Sequence, residues 1–499
     1  MALIQIKNLT FAYEGSYDNV FENVDFQIDS DWKLGFIGRN GRGKTTFLKL
    51  LMGKFPYQGN IITSTKFEYF PYFVKENPSL AISILEEINP DFEYWEIAKE
   101  MNLLEIEEDV LYRPFHTLSG GEQTKLLLAV LFLKNDRFLL IDEPTNHLDI
   151  KGRELLKNYL NRKKSFILVS HDRAFLDGCV DHILSINKTN IEVQTGNYSS
   201  WKANKERQDS YELAENDRMK KEIGRLKKTA REKAEWSNRA ESRKFGTANS
   251  GMNAGPGFVD RGFFGHKAEK MMRRAKALEE RTEKAIEEKS KLLKNIESSD
   301  DLKISALNYH KSHFISMQNV AITYDNHIVC QDISFIVERG DRIALCGKNG
   351  CEKSSILKLI CGESIEYTGN IEIGSGLKIS YISQNTSFLK GRLSDFAQDS
   401  KIDESLFKAI LRKMDFSRIQ FEKDIADFSE GQKKKVLIAK SLCESAHLYI
   451  WDEPLNFVDM NSRIQIENLL LDFQPTMIFV EHDQAFRDAV ATKLVEFDK

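Results

Sequence analysis

The chain has 499 residues, which predicts two or three domains, and its 41% hydrophobic and 29% charged residues are typical of a soluble globular protein. The longest apolar runs, such as residues 126–133, are far shorter than the roughly 20 residues of a membrane helix, so the sequence excludes a channel or permease. The net charge of −4 does not by itself predict a nucleic-acid partner. The first residues predict a strand, because they lack the basic start and apolar core of a signal peptide.

The first motif in chain order is GRNGRGKTT, at residues 38–46, which lies between an apolar strand segment and a helical segment. In this pattern, successive backbone N–H groups at a helix N-terminus surround a phosphate, and the helix dipole favours the anion. Lys44 is then expected to reach the terminal phosphates of a nucleotide, and the Thr45 hydroxyl to ligate Mg²⁺.

Three further motifs follow in the first half of the chain. LSGGEQ surrounds Ser119, and LLIDEPTNHLD begins with a buried-strand pattern, LLIDE, that ends in Asp142 and Glu143. Asp142 is expected to hold Mg²⁺ through water, and Glu143 to polarise a water molecule for attack on a γ-phosphate. His171 ends another apolar strand, and its position predicts contact with the γ-phosphate and that water.

The same four motifs recur in the second half with nearly constant offsets of 309, 310, 310 and 311 residues. Conserved order and spacing predict an α/β protein in which one domain occurs twice, at residues 1–198 and 314–499. The counterparts of the residues named above are Lys353, Ser354, Ser429, Asp452, Glu453 and His482.

The cysteines lack metal-ligand spacing and are expected to be reduced, as in a cytoplasmic protein. They are Cys179, Cys330, Cys346, Cys351, Cys361 and Cys443.

Residues 199–313, between the two copies, are predicted to form a long α-helical hairpin linker with a tip loop at about 246–265. The window 218–276 contains 17 basic and 6 acidic residues, a net charge of +11, which points to a polyanionic partner. A solvated surface helix would also be charged, but aromatic residues beside basic ones in a Gly-rich loop suit stacking on unpaired nucleotides. The linker residues predicted to contact RNA are Arg243, Lys244, Phe258, Arg261, Phe263, Phe264 and Lys267.

The order of these motifs resembles that of the ATP-binding-cassette (ABC) ATPases, for which LSGGEQ is the signature. Two tandem cassettes joined by a charged helical hairpin, without membrane helices, resemble the ABC-F subfamily, and this resemblance covers essentially the whole chain. It implies a monomeric ATPase that uses ATP and Mg²⁺. The two ATP molecules would be held head to tail between the cassettes.

The resemblance also implies which residues share a site. The site of Lys44 would include Ser429 and Gly431, and the site of Lys353 would include Ser119 and Gly121. The implied catalytic residues are Glu143, Glu453, His171 and His482. The implied Mg²⁺ residues are Thr45, Asp142, Ser354, Gln384 and Asp452. The implied ATP-binding residues, including the adenine-stacking Tyr13 and Tyr324, are Tyr13, Gly38, Asn40, Gly41, Gly43, Lys44, Thr45, Thr46, Ser119, Gly120, Gly121, Tyr324, Gly347, Asn349, Gly350, Lys353, Ser354, Ser355, Ser429 and Gly431.

The ABC-F resemblance implies a bacterial ribosome as partner, with 23S rRNA, large-subunit proteins and peptidyl tRNA as contacts, and neither DNA nor a membrane. Binding would be at the tRNA exit site, with the linker directed toward the peptidyl-transferase centre. The absence of a large arm insertion, the segment EPLNFVD and the segment FEYFPYFV resemble the Lsa/Vga-type resistance proteins. That likeness implies protection from lincosamides, pleuromutilins or streptogramin A drugs. A housekeeping translation factor for stalled or energy-starved ribosomes is the alternative. A transporter ATPase is disfavoured by the hairpin.

Two positions depart from the family pattern. Tyr72 stands in the first cassette where a glutamine is usual, although a water molecule or a neighbour could complete the metal shell. Glu352 replaces the last glycine of the second phosphate loop. A carboxylate about 6 Å from a phosphate at an effective dielectric near 20 is repelled by roughly 2–3 kcal/mol. We therefore expect weaker nucleotide binding at the second site, unless the side chain turns to solvent. A sequence variant is an equally open explanation.

Overall fold

A computed structural model of the chain describes residues 3–14, 19–74, 79–134, 137–146, 148–186, 191–212, 302–324, 327–347 and 353–497, with a few further positions between 214 and 228. The chain divides into two compact units. One comprises Met1–Trp201 together with Ser299–Lys499, and the other comprises Lys202–Ser298. In the second unit, the described residues 202–212 are helical.

The first cassette begins with strands that alternate buried and exposed residues, as in β1, and continues with fully buried strands such as β7. Its strands are β1 (Leu3–Phe11), β2 (Phe21–Asp29), β3 (Lys33–Ile37), β4 (Gln58–Ile62), β5 (Lys66–Phe70), β6 (Arg137–Asp142), β7 (Phe166–Val169), β8 (His182–Ile186) and β9 (Ile191–Thr195). Its helices are α1 (Lys44–Leu51), α2 (Ala81–Ile88), α3 (Tyr94–Leu103), α4 (Gly120–Phe132), α5 (Ile150–Asn161) and α6 (Arg173–Cys179), with 3₁₀ turns at Glu108–Tyr112 and Phe115–Thr117.

The second cassette repeats this order. Its strands are β10 (His313–Tyr324), β11 (His327–Glu338), β12 (Arg342–Gly347), β13 (Tyr367–Ile373), β14 (Ile379–Ile382), β15 (Leu448–Asp452), β16 (Met477–Val480) and β17 (Lys493–Phe497). Its helices are α7 (Lys353–Ile360), α8 (Leu393–Asp399), α9 (Glu404–Lys413), α10 (Glu430–Cys443), α11 (Met460–Phe473) and α12 (Gln484–Val490), with 3₁₀ turns at Arg418–Glu422 and Ile425–Asp427.

Each cassette contains a larger sheet and a small antiparallel sheet. The larger sheets have the orders β5-β6-β7-β3-β8-β9 and β14-β15-β16-β12-β17, and their strands are parallel except for the antiparallel pair β8–β9. The small sheets have the orders β2-β1-β4 and β11-β10-β13. In the larger sheets, the strands preceding the phosphate loop, the acidic pair and the histidine are neighbours. Because these strands are parallel, all three motifs emerge at one sheet edge.

The hydrophobic core of each cassette lies on both faces of its larger sheet. In the first cassette, one cluster joins this sheet to α2–α5, and another joins it to the small sheet and α1. The second cassette has the same two layers. The resulting α/β architecture with two ATPase domains agrees with the predicted fold class.

Residues 302–309 were assigned to the linker by the sequence analysis, but they pack onto the second cassette. Leu302 and Ile304 are buried in its helical core layer, and Tyr309 is buried beside the small sheet. At the other end of the linker, Tyr198 and Trp201 pack against the core of the first cassette. Apolar side chains at both ends of the linker region therefore pack against the cassettes. Within the described part of the chain, no helix has the length and apolarity to span a bilayer.

Candidate functional site

The first phosphate loop turns through backbone conformations that glycine favours. Gly41 and Gly43 have φ values of 81° and 91°, in the left-handed region. A Cβ atom on Gly43 would lie 2.6 Å from the Val20 side chain, so the loop has no room for one. Gly43 is also the N-cap of α1, whose first turn contains no acidic residue. The helix N-terminus therefore remains available to an anion.

Lys44 lies inside this loop and is only 7% exposed. Its Nζ donates to the carbonyl oxygens of Gly38 at 2.6 Å and Arg39 at 3.2 Å, and to Asn40 Oδ1 at 3.4 Å. Burial lowers the pKa of Lys44, while Glu143 is the largest opposing influence. The loop holds the ammonium group where the motif places the terminal phosphates.

Asp142 receives two hydroxyl hydrogen bonds at the carboxyl end of β6. Thr45 Oγ1 donates to its Oδ2 at 2.8 Å, and the Tyr69 hydroxyl donates to the same atom at 3.0 Å. Burial raises the pKa of Asp142. The pairing of Thr45 with Asp142 is the contact expected of two residues that share a Mg²⁺ ion through water.

Glu143 follows with a strained backbone, at φ = 53°, and its N–H donates to the Val169 carbonyl at 2.9 Å. Its Oε1 atom is buried, makes no hydrogen bond with the described residues, and lies 3.4 Å from His171 Nε2. Burial and the adjacent Asp142 raise the pKa of Glu143 to about 8. The charges of Arg463 and Lys44 and a hydrogen bond from the His171 backbone favour the ionised form, but they only partly oppose this shift.

His171 is 5% exposed and is directed toward the phosphate loop. Its Nε2 lies 3.1 Å from Asn40 Oδ1. Burial lowers the pKa of His171 well below its usual range, with Lys44 acting in the same direction. The ring is therefore neutral at physiological pH, and the contact with Asn40 fixes its orientation.

The second cassette contains the counterparts of these residues, but their hydrogen bonds and pKa shifts differ. Lys353 Nζ donates to the Gly347 carbonyl at 2.9 Å, and the Ser354 hydroxyl lies beside Asp452. Asp452 is 1% exposed, and its oxygens have no well-formed hydrogen bond with the described residues. Burial raises the pKa of Asp452 to about 6, against the opposing effect of Ser354. An under-satisfied buried carboxylate at this position suits a metal ligand.

Glu453 also has a positive φ, of 47°, but it is well satisfied. It lies 3.2 Å from His482 Nε2 and accepts hydrogen bonds from Gln384 at 2.9 Å and Asn456 at 2.5 Å. Burial raises the pKa of Glu453, but His482, the hydrogen bond from Gln384 and the charge of Lys434 outweigh it, and the pKa falls below its usual value. Thus the two candidate bases differ: the pKa of Glu453 lies below its usual value, whereas the pKa of Glu143 is raised. Gln384 donates to Glu453, and its contact with Mg²⁺ remains a prediction.

The predicted adenine-stacking tyrosines lie above the helices that follow the phosphate loops. The Tyr13 hydroxyl lies 2.6 Å from Thr46 Oγ1, and the Tyr324 hydroxyl donates to Ser355 Oγ at 3.0 Å. The two residues are 45% and 40% exposed, and their adenine stacking remains a prediction.

Between the cassettes, a cleft of about 830 Å³ contains the second site. The second cassette lines it with Lys353, Ser354, Gln384, Glu453 and His482, and the first cassette contributes Ser119, Gly120 and Gly121 of its LSGGEQ motif. Ser119 caps α4, where Glu122 N donates to its Oγ at 3.2 Å, so another helix N-terminus faces the cleft. The signature motif of the first cassette thus shares this cleft with Lys353 and Ser354 of the second.

The first site contacts the second cassette directly. Asn40 Nδ2 donates to the Phe457 carbonyl at 3.2 Å. A Cβ atom on Gly431 would lie 2.2 Å from the Phe457 oxygen and 3.3 Å from Asn40 Nδ2, so only glycine fits there. Ser429 caps the same helix, with Gln432 N donating to its Oγ. The structure therefore brings Gly431 to the phosphate loop that contains Lys44.

Several predicted residues lie outside the part of the chain that the structure describes. They are Asn349, Gly350 and Glu352 of the second phosphate loop, and Arg243, Lys244, Phe258, Arg261, Phe263, Phe264 and Lys267 of the linker. The expectations for Glu352 and for the linker remain predictions.

Several residues of the sites were not predicted from the sequence. Tyr69 contacts Asp142, and its counterpart Tyr381 has a raised pKa through burial and the nearby Asp452. Their position at the end of a strand neighbouring the acidic strand was the available signal. Arg39 Nη1 lies 2.6 Å from Asp415 Oδ1 across the cassettes, and no sequence pattern pointed to that ion pair.

The residues present fit ATP and Mg²⁺. Each site combines a lysine at the start of a helix with a buried carboxylate beside a Thr or Ser hydroxyl, and the first site adds a phosphate loop that ends in Gly43. Among the described residues, no group of three or more His, Cys, Asp or Glu side chains could hold a metal ion by itself. This donor set matches Mg²⁺, which is usually held by one or two carboxylates together with substrate phosphates.

Comparison with known proteins agrees with this geometry. The chain is 28% identical over 522 residues to the ATP-binding protein Uup of Buchnera aphidicola. This alignment covers 100% of the chain and 81% of Uup. The chain is 27% identical over 494 residues to the ribosome protection protein VmlR of Bacillus subtilis, which covers 97% of this chain and 85% of VmlR.

Among solved structures, the archaeal ribosome recycling factor crystallised with the ribosomal stalk protein matches 99% of this chain and 87% of its own, with a TM-score of 0.64 and 17% identity. This likeness shows the fold. The family described as ABC transporter matches residues 21–146 and 330–456, about half of the chain, and each match holds a phosphate loop and an acidic pair. The chain therefore belongs to the ABC transporter family, and it is an ATPase with two tandem ATP-binding cassettes.

Proposed function

We propose that this chain is a ribosome-binding ATPase of the ABC-F type that confers antibiotic resistance by target protection. The observation that carries the proposal is the pairing of two ATP sites, shared between the cassettes, with an intervening segment of net charge +11. A cationic segment with aromatic residues suits RNA, and the cassettes provide an ATP-dependent change of shape. The similarity to a protein named for ribosome protection supports the same reading.

In this function, the cassettes control how long the linker stays on the ribosome. Lys44 and Lys353 bind and orient the phosphates, and the opposite signature helices close each site. Glu143 and Glu453 hold the attacking water and accept its proton, while His171 and His482 orient them. Asp142 and Thr45, or Asp452 and Ser354, would hold Mg²⁺, which would neutralise phosphate charge when bound. Hydrolysis would then release the protein.

The linker is proposed to occupy the tRNA exit side of the large subunit, near 23S rRNA, large-subunit proteins and peptidyl tRNA, and to displace lincosamide, pleuromutilin or streptogramin A drugs. The protein would act in the cytoplasm. A housekeeping role on stalled ribosomes is the second candidate, because the chain is as similar to Uup as to VmlR.

Co-sedimentation tests the ribosome proposal. The Glu143→Gln/Glu453→Gln variant should bind ATP without hydrolysing it, and should therefore pellet with purified bacterial ribosomes in ATP. Wild-type protein should pellet less, because it hydrolyses ATP and is released. A double variant that stays in the supernatant with ATP, while still binding the nucleotide, would rule out ribosome binding.

Drug tolerance separates resistance from the housekeeping role. Expression of the wild-type chain in a susceptible Gram-positive host should raise the inhibitory concentration of at least one peptidyl-transferase drug. Lys44→Ala/Lys353→Ala, which removes the phosphate contacts, should abolish the rise. Unchanged tolerance to all three drug classes, at matched expression, would favour the housekeeping factor.

A further inference from the structure

Three large aromatic side chains are exposed together on the helical part of the first cassette. Tyr94, Trp95 and Tyr112 are 44%, 64% and 61% exposed. The Tyr94 hydroxyl donates to Glu108 Oε2 at 3.2 Å, so the start of α3 and the 3₁₀ turn meet here. We call these three residues the aromatic face. Clustered exposed rings of this size are unusual unless another molecule covers them.

The surroundings of the aromatic face are strongly acidic. Residues 81–113 contain ten Asp and Glu residues but only two basic ones. Glu100 is buried, where it accepts hydrogen bonds from Tyr159 and Lys163. Most of the others are exposed, namely Glu86, Glu87, Asp91, Glu93, Glu105, Glu107, Glu108 and Asp109. The rings therefore lie within a negative field.

The second cassette shows that the fold requires neither the exposed aromatic residues nor the acidic surroundings. Its α9 and following 3₁₀ turn match α3 and Glu108–Tyr112 with an offset of 310 residues. At the matching positions it carries Glu404, Ser405 and Glu422 in place of the three aromatics. The corresponding range 391–423 has seven basic and six acidic residues. The same helical framework is thus built without exposed rings and without net negative charge.

We propose that the aromatic face is a docking surface for a lysine- and arginine-rich segment of a partner protein. Ammonium and guanidinium groups are attracted both to ring faces and to the surrounding carboxylates. A nucleic-acid backbone would be repelled by those carboxylates, and an acidic or purely apolar partner would leave them uncompensated. The identity of the partner rests on the proposed function: if that function holds, the partner is a basic ribosomal protein.

Peptide binding tests the surface without ribosomes. The probe is a labelled peptide of alternating lysine and arginine, and the readout is fluorescence anisotropy at low and raised salt. Tyr94→Ser/Trp95→Ser/Tyr112→Ser, which leaves every charge in place, should bind the peptide about tenfold more weakly than wild type. The matched control, Leu406→Ser/Ile419→Ser, removes two exposed apolar residues from the second cassette and should bind like wild type.

Two more variants separate docking from misfolding. Tyr94→Phe/Tyr112→Phe keeps the rings and should retain binding. Glu86→Gln/Glu87→Gln/Glu107→Gln should weaken binding mainly at low salt, because screening already reduces the attraction at high salt. Equal peptide affinity in wild type and the Ser triple variant, with both folded by circular dichroism, would overturn the proposal.

Cross-linking then identifies the partner class. A benzophenone amino acid replaces Trp95 in the Glu143→Gln/Glu453→Gln background, and the ribosome-bound complex is irradiated. Cross-links to a lysine- and arginine-rich ribosomal protein are expected. Cross-links only to RNA, or ribosome binding with no cross-link at all, would overturn the ribosomal assignment. If the background variant itself fails to pellet with ribosomes, the proposed function falls, and the peptide measurement alone decides the surface.

Discussion

Replacing both Glu143 and Glu453 with glutamine should lower ATP hydrolysis by about 10²–10⁴-fold, the contribution typical of a general base. The amide cannot accept the proton of the attacking water. ATP binding should change little, because Lys44, Lys353 and the loop backbones that hold the phosphates are untouched.

Steady-state phosphate release and nucleotide affinity measured on the same preparation test this expectation. Glu372→Gln, an exposed position on β13, is the matched control and should hydrolyse ATP at the wild-type rate. Retention of more than half of the wild-type rate by the double variant would mean that neither carboxylate acts on the attacking water.

The single variants should change the stability of the nucleotide-free protein in opposite directions. Because burial raises the pKa of Glu143 to about 8, the folded wild type is penalised for ionising it. That penalty is absent below the usual pKa near 4.5, grows as the pH rises, and is complete above about 8. Glu143→Gln removes it, and should stabilise the protein at pH 9 by up to about 5 kcal/mol, the free energy that corresponds to a rise in pKa from 4.5 to about 8.

Replacing Glu453 with glutamine should have the opposite effect on stability. The pKa of Glu453 lies below the usual value, so its hydrogen bonds with Gln384 and Asn456 and its contact with His482 stabilise the folded state above pH 4.5, and this stabilisation is lost as the solution is acidified. Glu453→Gln should therefore melt at a lower temperature than wild type at neutral pH and above. Thermal melts with a chelator at pH 6 and pH 9 measure both effects. A shift of the same sign for both variants at pH 9 would show that the two sites do not differ as described.

Much of each site follows from the sequence because the motifs lie at strand ends. Parallel strands beside one another bring the loop after β3, the acidic pair after β6 and His171 after β7 to one edge, so their proximity needs only the motif order. The constant offset extended the same reasoning to the second cassette.

The contacts between the cassettes could not be predicted from the order of the motifs. The pair Arg39–Asp415 and the contact of Asn40 with Phe457 join residues that are more than 370 positions apart. Their pairing depends on how two folded surfaces meet. The different states of Glu143 and Glu453 also depend on tertiary neighbours: Gln384 reaches Glu453, whereas Tyr72 stands at the matching position of the first cassette and is 38% exposed.

The contact between Asn40 and Phe457 affects how rates from single-site variants must be interpreted. Asn456 binds Glu453 of one site, while the next residue, Phe457, binds Asn40, which in turn touches His171 of the other. Residues joined by such shared neighbours give non-additive effects when they are changed. The residual rate of Glu453→Gln is therefore not the native rate of the first site, and the two single-variant rates should not sum to the wild-type value.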